Sequence, residues 1–157
     1  MSRNNISHIL FSVPRLLLQN ETNNIAFSVV MDTHKENLAI HQIVKFDRVI
    51  TNDGFGHDPN SSVFKAPVAG LYYFTVVIMS HAREDIETEI VRNGVPVVNT
   101  YSGDSTTWNA GPQSTVLSLA AGDSVYIRML NNPTVNNGNV RVFGYGWSSF
   151  SGFRIST

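Results

Sequence analysis

The chain has 157 residues, of which 42% are hydrophobic and 15% are charged, and its formal net charge is −1. These values fit one globular domain with a full hydrophobic core. They give no electrostatic footprint for a nucleic acid or an anionic membrane as partner. Cysteine is absent from the sequence, which excludes disulfide scaffolds and thiolate chemistry. No apolar run approaches the ~18 residues of a membrane span.

The N-terminal part contains one apolar run, ILFSVPRLLL at 9–18, which has two interpretations. It is either a signal remnant or an extra strand or arm that packs on the domain. Pro14 and Arg15 interrupt the run, and no small-residue cleavage motif follows it, so we favour the arm. The prediction is an N-terminal arm or extra strand over 1–24, followed by a single domain over 25–157.

Short runs with period-2 alternation dominate the rest of the chain, and sustained helical periodicity is hard to find. Such runs lie at 25–31, 85–90 and 124–130. In the last of them Val125 and Ile127 fall on the same face. Because many short strands bounded by turns are typical of sandwiches and barrels, we predict an all-β fold.

Three turn signals punctuate these runs. Asn-Gly pairs stand at 93–94 and 137–138, and this pair favours two-residue hairpins, since both central positions of a type I′ turn need positive φ. The sequence AAGD at 120–123 supplies the third turn. We therefore expect hairpins at both Asn-Gly pairs and a turn at 120–123.

The stretch KAPVAGLYYF at 65–74 places three consecutive aromatic residues behind a proline and a glycine. These rings form either a binding platform or part of the interior. In a strand from Leu71 to about Ser80, Tyr72 shares one face with Phe74, and Tyr73 lies on the other. A run that is apolar on both faces suits a central strand that is covered on both sides. We predict that the aromatic run is interior.

The sequence offers little support for catalysis. The five histidines show no HExxH spacing, and neither a G-x-S-x-G elbow nor a P-loop is present. Glu87 and Glu89 lie two residues apart in one predicted strand, with their side chains roughly 7 Å apart. We interpret them as part of an acidic row that faces water. The alternative is a pair of catalytic carboxylates of a glycosidase. His57 is interpreted as a partly buried turn residue, with a ligand or pH sensor as the alternative. The prediction is a protein that is not an enzyme.

Six blocks of sequence, in matching order and spacing, resemble a C1q domain: AFSVVM, FDRVITNDG, VFKAPVAGLYYF, VRNG, GDSVYIRM and SSFSGFRI. The family signature is matched by Phe46, Asn52, Phe64, Gly70, Tyr72 and Phe74. Two positions depart from it, since His57 stands where an aromatic residue or leucine is usual and Val76 where Phe or Tyr is usual.

The resemblance implies a ten-stranded jelly-roll sandwich of the C1q/tumour-necrosis-factor type, assembled as a homotrimer, with the last strand beside the first. Without a collagen stalk, the chain is similar to the short C1q-domain proteins of bivalve molluscs. This implies a secreted, extracellular lectin of innate immunity whose partners are microbial glycans and further copies of itself. The alternative is a receptor-binding signalling or structural trimer.

Calcium is held near the trimer apex in some C1q domains, and it needs several hard oxygen ligands. The loop over 131–146 contains no carboxylate, and Asp104 and Asp123 are isolated acids. The sequence therefore does not favour an intrinsic calcium site, and we expect no cofactor.

Two stretches, 101–111 and 136–147, combine aromatic rings with polar groups that match sugar hydroxyls. We favour the second, where Arg141 has no carboxylate nearby in sequence and is predicted to meet an anionic sugar or phosphate. The alternative for Arg141 is that it pairs with a carboxylate of a neighbouring strand. The alternative for the two tryptophans is that they cap the sandwich or pack in the trimer seam. The predicted glycan-binding residues are Arg141, Tyr145, Trp147, Asn139, Tyr101 and Trp108.

Overall fold

Two antiparallel β-sheets, packed face to face, form the fold that the computed structural model describes for residues 24–156. The twelve strands are, in chain order, β1 Ala26–Val30, β2 Lys35–Ala39, β3 Arg48–Asp53, β4 His57–Asp58, β5 Val63–Lys65, β6 Gly70–Ser80, β7 Ile86–Arg92, β8 Val95–Ser102, β9 Asn109–Leu119, β10 Ser124–Met129, β11 Asn137–Val142 and β12 Ser149–Ser156. The N-terminal arm predicted over 1–24 lies outside the described residues, apart from Asn24.

The first sheet has seven strands in the order β2-β11-β6-β12-β1-β3, with β9 paired to β6. The second sheet has five strands in the order β4-β5-β10-β7-β8. This arrangement confirms the predicted all-β sandwich, and β12 lies beside β1 as the resemblance implied. The strand count exceeds the predicted ten because very short pairings, such as the two-residue β4, form strands of their own. None of the described residues belongs to a helix that is long and apolar enough to cross a membrane.

Strand β6 runs through the middle of the first sheet, and its alternating side chains supply the centre of the core. Tyr72, Phe74 and Val76 are fully buried, which confirms the prediction that this side of the aromatic run is interior. The ring of Phe74 lies 6.1 Å from that of Phe150 on β12. Next to Phe150, a side chain at Gly152 would approach the Phe74 ring to 2.6 Å, so only glycine fits there.

The other side of the first sheet is apolar and exposed. We call this surface the outer apolar face and define it by Leu71, Tyr73, Val116, Phe153 and Ile155. Four of these side chains are at least 43% exposed, and the ring of half-buried Tyr73 lies 5.3 Å from that of Phe153. Within the described chain nothing covers this surface.

Two of the three turn predictions are confirmed. Asn93 and Gly94 have φ values of 49° and 83° and join β7 to β8 as a hairpin. At 120–123, Asp123 donates its backbone N–H to the Ala120 carbonyl at 3.1 Å.

The hairpin predicted at 137–138 is wrong. Asn137 and Gly138 begin β11, and the strand that precedes it, β10, lies in the opposite sheet. Gly138 does have a positive φ of 88°. The pair therefore marks a local bend where the chain crosses between sheets, because tertiary pairing decides the partner of β11.

The acidic row predicted to face water is also partly wrong. Glu89 is only 4% exposed and accepts a hydrogen bond from Arg128 Nε of β10 at 2.7 Å. Half-buried Glu87 accepts one from the Asn132 side chain at 2.9 Å. A cross-strand arginine holds Glu89 in the sandwich, since a buried carboxylate needs a paired charge.

His57 was expected at a partly buried turn, but it is a strand residue that is only 2% exposed. Its ring stacks on that of Phe27 with centroids 5.1 Å apart, and it occupies the place of the usual apolar ring.

Candidate functional site

Five connections between strands meet at one end of the sandwich, which we call the loop end. They cover 31–34, 81–85, 103–108, 130–136 and 143–148. Backbone hydrogen bonds tie them together. Arg83 N–H donates to the Asp104 carbonyl at 3.1 Å, and Tyr145 N–H donates to the Asp32 carbonyl at 2.9 Å. Both stretches predicted to bind glycans, 101–111 and 136–147, contribute to this end.

An aromatic–histidine cluster, made of Trp108, Phe143, Tyr145, His34 and His81, forms part of the loop end. Phe143 is its centre, with its ring 6.0 Å from that of Trp108, 5.9 Å from that of Tyr145 and 4.5 Å from that of His34. Phe143 is half-buried, whereas Trp108 is 51% exposed and Tyr145 is 73% exposed. The cluster therefore presents two rings to solvent on a partly buried base.

A tight turn holds Tyr145 in this position. Tyr145 and Gly146 have φ values of 54° and 81°, which is left-handed backbone that favours glycine. A side chain at Gly144 would lie 2.7 Å from the Asp32 carbonyl oxygen, so the chain packs too closely there for any other residue. The Gly144 N–H also donates to His34 Nδ1 at 2.9 Å. This hydrogen bond fixes the orientation of the His34 ring against the turn.

His81 supplies the buried side of the cluster, with its ring centroid 5.0 Å from that of His34. Its Nε2 is buried without a hydrogen-bond partner among the described residues. Burial and the positive charge of Arg141 lower the pKa of this imidazole from its usual value of 6.5. His81 therefore favours the neutral form in the folded protein.

A polar groove adjoins the cluster along the outward face of β11. Asn139 and Arg141 alternate along this face with the buried Val140 and Val142, and Asn137 lies before the bend at Gly138. The opposite wall consists of residues 83–85. The groove encloses about 420 Å³, and its lining includes Asp85 and Asn139.

Arg141 is not the free guanidinium that the sequence analysis favoured. Its Nε donates to Glu84 Oε1 at 2.6 Å, and its backbone N–H donates to Glu84 Oε2 at 3.1 Å. The alternative, pairing with a carboxylate of a neighbouring segment, is correct. The prediction of an anionic ligand loses its basis, because the charge that was to attract such a ligand is already matched.

The structure brings three of the six predicted site residues to the cluster or the lining of the groove: Trp108, Tyr145 and Asn139. Arg141 adjoins the groove through its pairing with Glu84 of the wall. Tyr101 lies beside the groove, where its hydroxyl donates to Asp85 Oδ1 at 2.9 Å. Trp147 is 61% exposed, but it is in ring contact with none of the cluster residues.

Sequence reasoning missed His34, His81, Phe143 and Glu84. A usable signal for Phe143 was present, since residues 137, 139, 141 and 143 continue one period-2 face. The other three come from connections far away in the chain, and no local pattern marks them.

Within residues 24–156, no group of three or more His, Asp or Glu side chains lies close enough together to hold a metal ion. The two isolated acids have structural partners. Asp123 accepts from Arg92 and Asn93 at 3.1 and 2.9 Å, and Asp104 accepts from the Thr106 backbone at 2.7 Å. The expectation that the protein works without calcium or another cofactor stays a prediction.

Comparison with known proteins identifies relatives of the whole described domain. The family model of the C1q domain matches residues 26–155. A curated human relative, "Complement C1q tumor necrosis factor-related protein 3", is 34% identical over 136 residues. These residues are 83% of this chain, which spans only 51% of that relative.

Solved structures with the same fold include the globular domain of zebrafish complement 1qA protein. It has a TM-score of 0.69 at 21% identity and covers 84% of this chain and 98% of its own. Eiger TNF from S. frugiperda has a TM-score of 0.68 at 12% identity and covers 85% of this chain and 94% of its own. Murine APRIL has a TM-score of 0.64 at 15% identity and covers 83% of this chain and 97% of its own. At these identities the structures show a shared fold, and none of these matches indicates an enzyme family. Since the family model spans most of the sequence, the chain belongs to the C1q domain family.

Proposed function

We propose that the protein is a secreted pattern-recognition lectin of innate immunity, a homotrimer that binds glycans of microbial surfaces at the loop end. One observation carries the glycan proposal. Trp108 and Tyr145 come from two different loops, and both rings are exposed beside Phe143 and next to a polar groove. Loops that gather side chains on a rigid sandwich are a common arrangement for binding.

The chemistry of this surface suits a sugar. The apolar C–H face of a sugar ring stacks on an exposed aromatic ring, and its hydroxyls need donors and acceptors of the kind that amides and carboxylates supply. The groove provides these groups in Asn137, Asn139 and Asp85. Because Arg141 is matched by Glu84, the proposed ligand is a neutral glycan.

Alanine substitution of Trp108 or Tyr145 is expected to weaken glycan binding at least tenfold, which corresponds to about 1.4 kcal/mol. The reason is the loss of a stacking surface for the sugar ring. A glycan array identifies the ligand, and isothermal titration calorimetry then measures the affinity of each variant. The melting temperature of each variant shows whether its fold is intact.

Trp147→Ala is the matched control, because Trp147 is equally exposed but lies outside the cluster. This variant should bind like the wild type. If it loses binding while Trp108→Ala does not, the site lies around Trp147. A blank array would favour the alternative function, a ligand of a protein receptor.

The homotrimer proposal rests on the outer apolar face. Isolated exposed apolar residues are normal on proteins, whereas a contiguous set on a sheet typically marks an interaction surface. Here Leu71, Tyr73, Val116 and Phe153 lie on three neighbouring strands, since Tyr73 is paired with Val116 on one side and Phe153 on the other. Three copies would present three loop ends together, and a repetitive surface would then be bound by avidity.

Phe153→Glu is expected to convert the trimer into a monomer of 17.4 kDa at micromolar concentration, because three carboxylates would be buried at the interface. Sedimentation velocity measures the change. Phe55→Glu is the control, since Phe55 is 90% exposed but belongs to the turn after β3. A wild-type protein that sediments as a monomer would contradict the homotrimer.

A further inference from the structure

The outward face of β11 leads from the polar groove toward the aromatic–histidine cluster. Asn139, Arg141 and Phe143 occupy alternate positions of one segment, with the intervening Val140 and Val142 buried, and Asn137 precedes the bend at Gly138. From Asn139 to Phe143 this chain covers roughly 13 Å at ~3.3 Å per residue, and Asn137 extends the surface beyond the bend. The potential contact surface is therefore a strip, not a compact pocket.

The strip has two chemically different ends. At one end the aromatic rings of Trp108 and Tyr145 are exposed, and exposed aromatic rings suit stacking on a sugar ring. At the other end Asn137 and Asn139 are exposed in the groove, opposite residues 83–85. A groove of about 420 Å³ is in the range that holds ligands of several rings.

The middle of the strip is polar but electrically balanced. The Arg141–Glu84 ion pair lies between the two ends, with the guanidinium side chain 43% exposed and the carboxylate 22% exposed. On the wall, Arg83 and Asp85 again carry opposite charges. Neither an acidic nor a basic ligand is favoured by this arrangement, whereas hydroxyl groups find donors and acceptors along its whole length.

We infer that the loop end binds a linear, neutral oligosaccharide lengthwise, with one sugar ring stacked at Trp108 and Tyr145 and later sugars along Asn139 and Asn137. This inference rests on the proposed glycan-binding function and adds the class of ligand. It separates the residues into two groups: the rings hold one end of the ligand, and the asparagines contact only a chain long enough to reach them.

The test is calorimetry with neutral oligosaccharides of mannose, glucose and N-acetylglucosamine, from the monosaccharide to the hexamer, on the full chain. For the series that binds, the hexamer should bind at least tenfold more tightly than the monosaccharide. Asn139→Ala should weaken the hexamer several-fold and leave the monosaccharide unchanged, whereas Trp108→Ala should weaken both. Asn60→Ala, an exposed asparagine of the β4–β5 turn, is the control and should change neither.

The outcomes distinguish this inference from the function on which it rests. Affinity that does not depend on length, or an Asn139→Ala variant that weakens monosaccharide and hexamer equally, overturns lengthwise binding but leaves a lectin. Tighter binding of a uronic acid series of the same length overturns the neutral class. Absence of binding to every neutral and acidic sugar overturns the glycan function itself.

Discussion

Replacing Tyr72 by alanine is expected to lower the free energy of unfolding by about 3–5 kcal/mol, the usual cost of a large-to-small change in a core. Tyr72 is fully buried, and its ring lies 5.5 Å from that of Phe64 and 6.3 Å from that of Phe74. Its hydroxyl donates to the Val68 carbonyl at 2.7 Å. Chemical denaturation at a fixed protein concentration measures the loss, since the proposed trimer makes stability depend on concentration.

Tyr72→Phe separates the two parts of this effect. It keeps the ring and removes only the hydrogen bond to Val68, so we expect a loss of about 1 kcal/mol. Sugar binding should persist in any Tyr72 variant that folds. A Tyr72→Ala protein of normal stability that no longer binds sugar would show that the aromatic run is a ligand platform.

The fold could be predicted where local sequence determines the result. The alternation of β6 predicted that Tyr72 and Phe74 share one face of the strand, because successive side chains point to opposite faces, and this face packs in the core. Asn93-Gly94 predicted a hairpin correctly, since the two strands it joins are adjacent in the chain. The same dipeptide at 137–138 failed, because β11 pairs with β2 and β6 instead of with its predecessor.

The candidate site was harder to predict because its contacts join distant segments. Residue types that match sugars singled out two stretches, which the fold brings to the same end of the sandwich, and three of the six predicted residues lie in the cluster or the lining of the groove. The partner of Arg141 could not be predicted, since Glu84 lies 57 residues away in the chain. The position of Trp147 outside the cluster could not be predicted for the same reason. Its sequence neighbours resemble those of Tyr145, but only the fold decides which ring turns toward Phe143.

His57 raises a separate question, because a titratable ring fills a position of the core. Neither of its ring nitrogens has a hydrogen-bond partner within residues 24–156. Burial lowers the pKa of His57 from its usual 6.5, although the charge of neighbouring Asp58 opposes this change. The side chain therefore stays neutral in the folded protein at a pH where the unfolded chain already takes up a proton.

We expect the protein to lose stability as the pH falls from 7 toward 5, and His57→Phe to abolish most of this loss. When the pH is below the pKa of His57 in the unfolded chain, the unfolded state binds more protons than the folded state. Stability therefore decreases as the pH is lowered, by at most about 1.4 kcal/mol per pH unit for one group. This loss of stability stops once the pH is below the pKa of His57 in the folded protein. Phenylalanine keeps the stacking on Phe27 and does not titrate, so His57→Phe should be the more stable protein throughout this range.

His57→Gln distinguishes titration from packing. Glutamine also does not titrate, so its stability should depend on pH as weakly as that of the phenylalanine variant. It should be less stable at every pH, because it leaves a buried amide without the stacked ring. Denaturant unfolding at pH 7, 6 and 5 measures all three proteins. In both variants the free energy of unfolding should still depend weakly on pH, since burial also lowers the pKa of His81. Parallel curves for the wild type and His57→Phe would show that His57 does not carry the acid sensitivity.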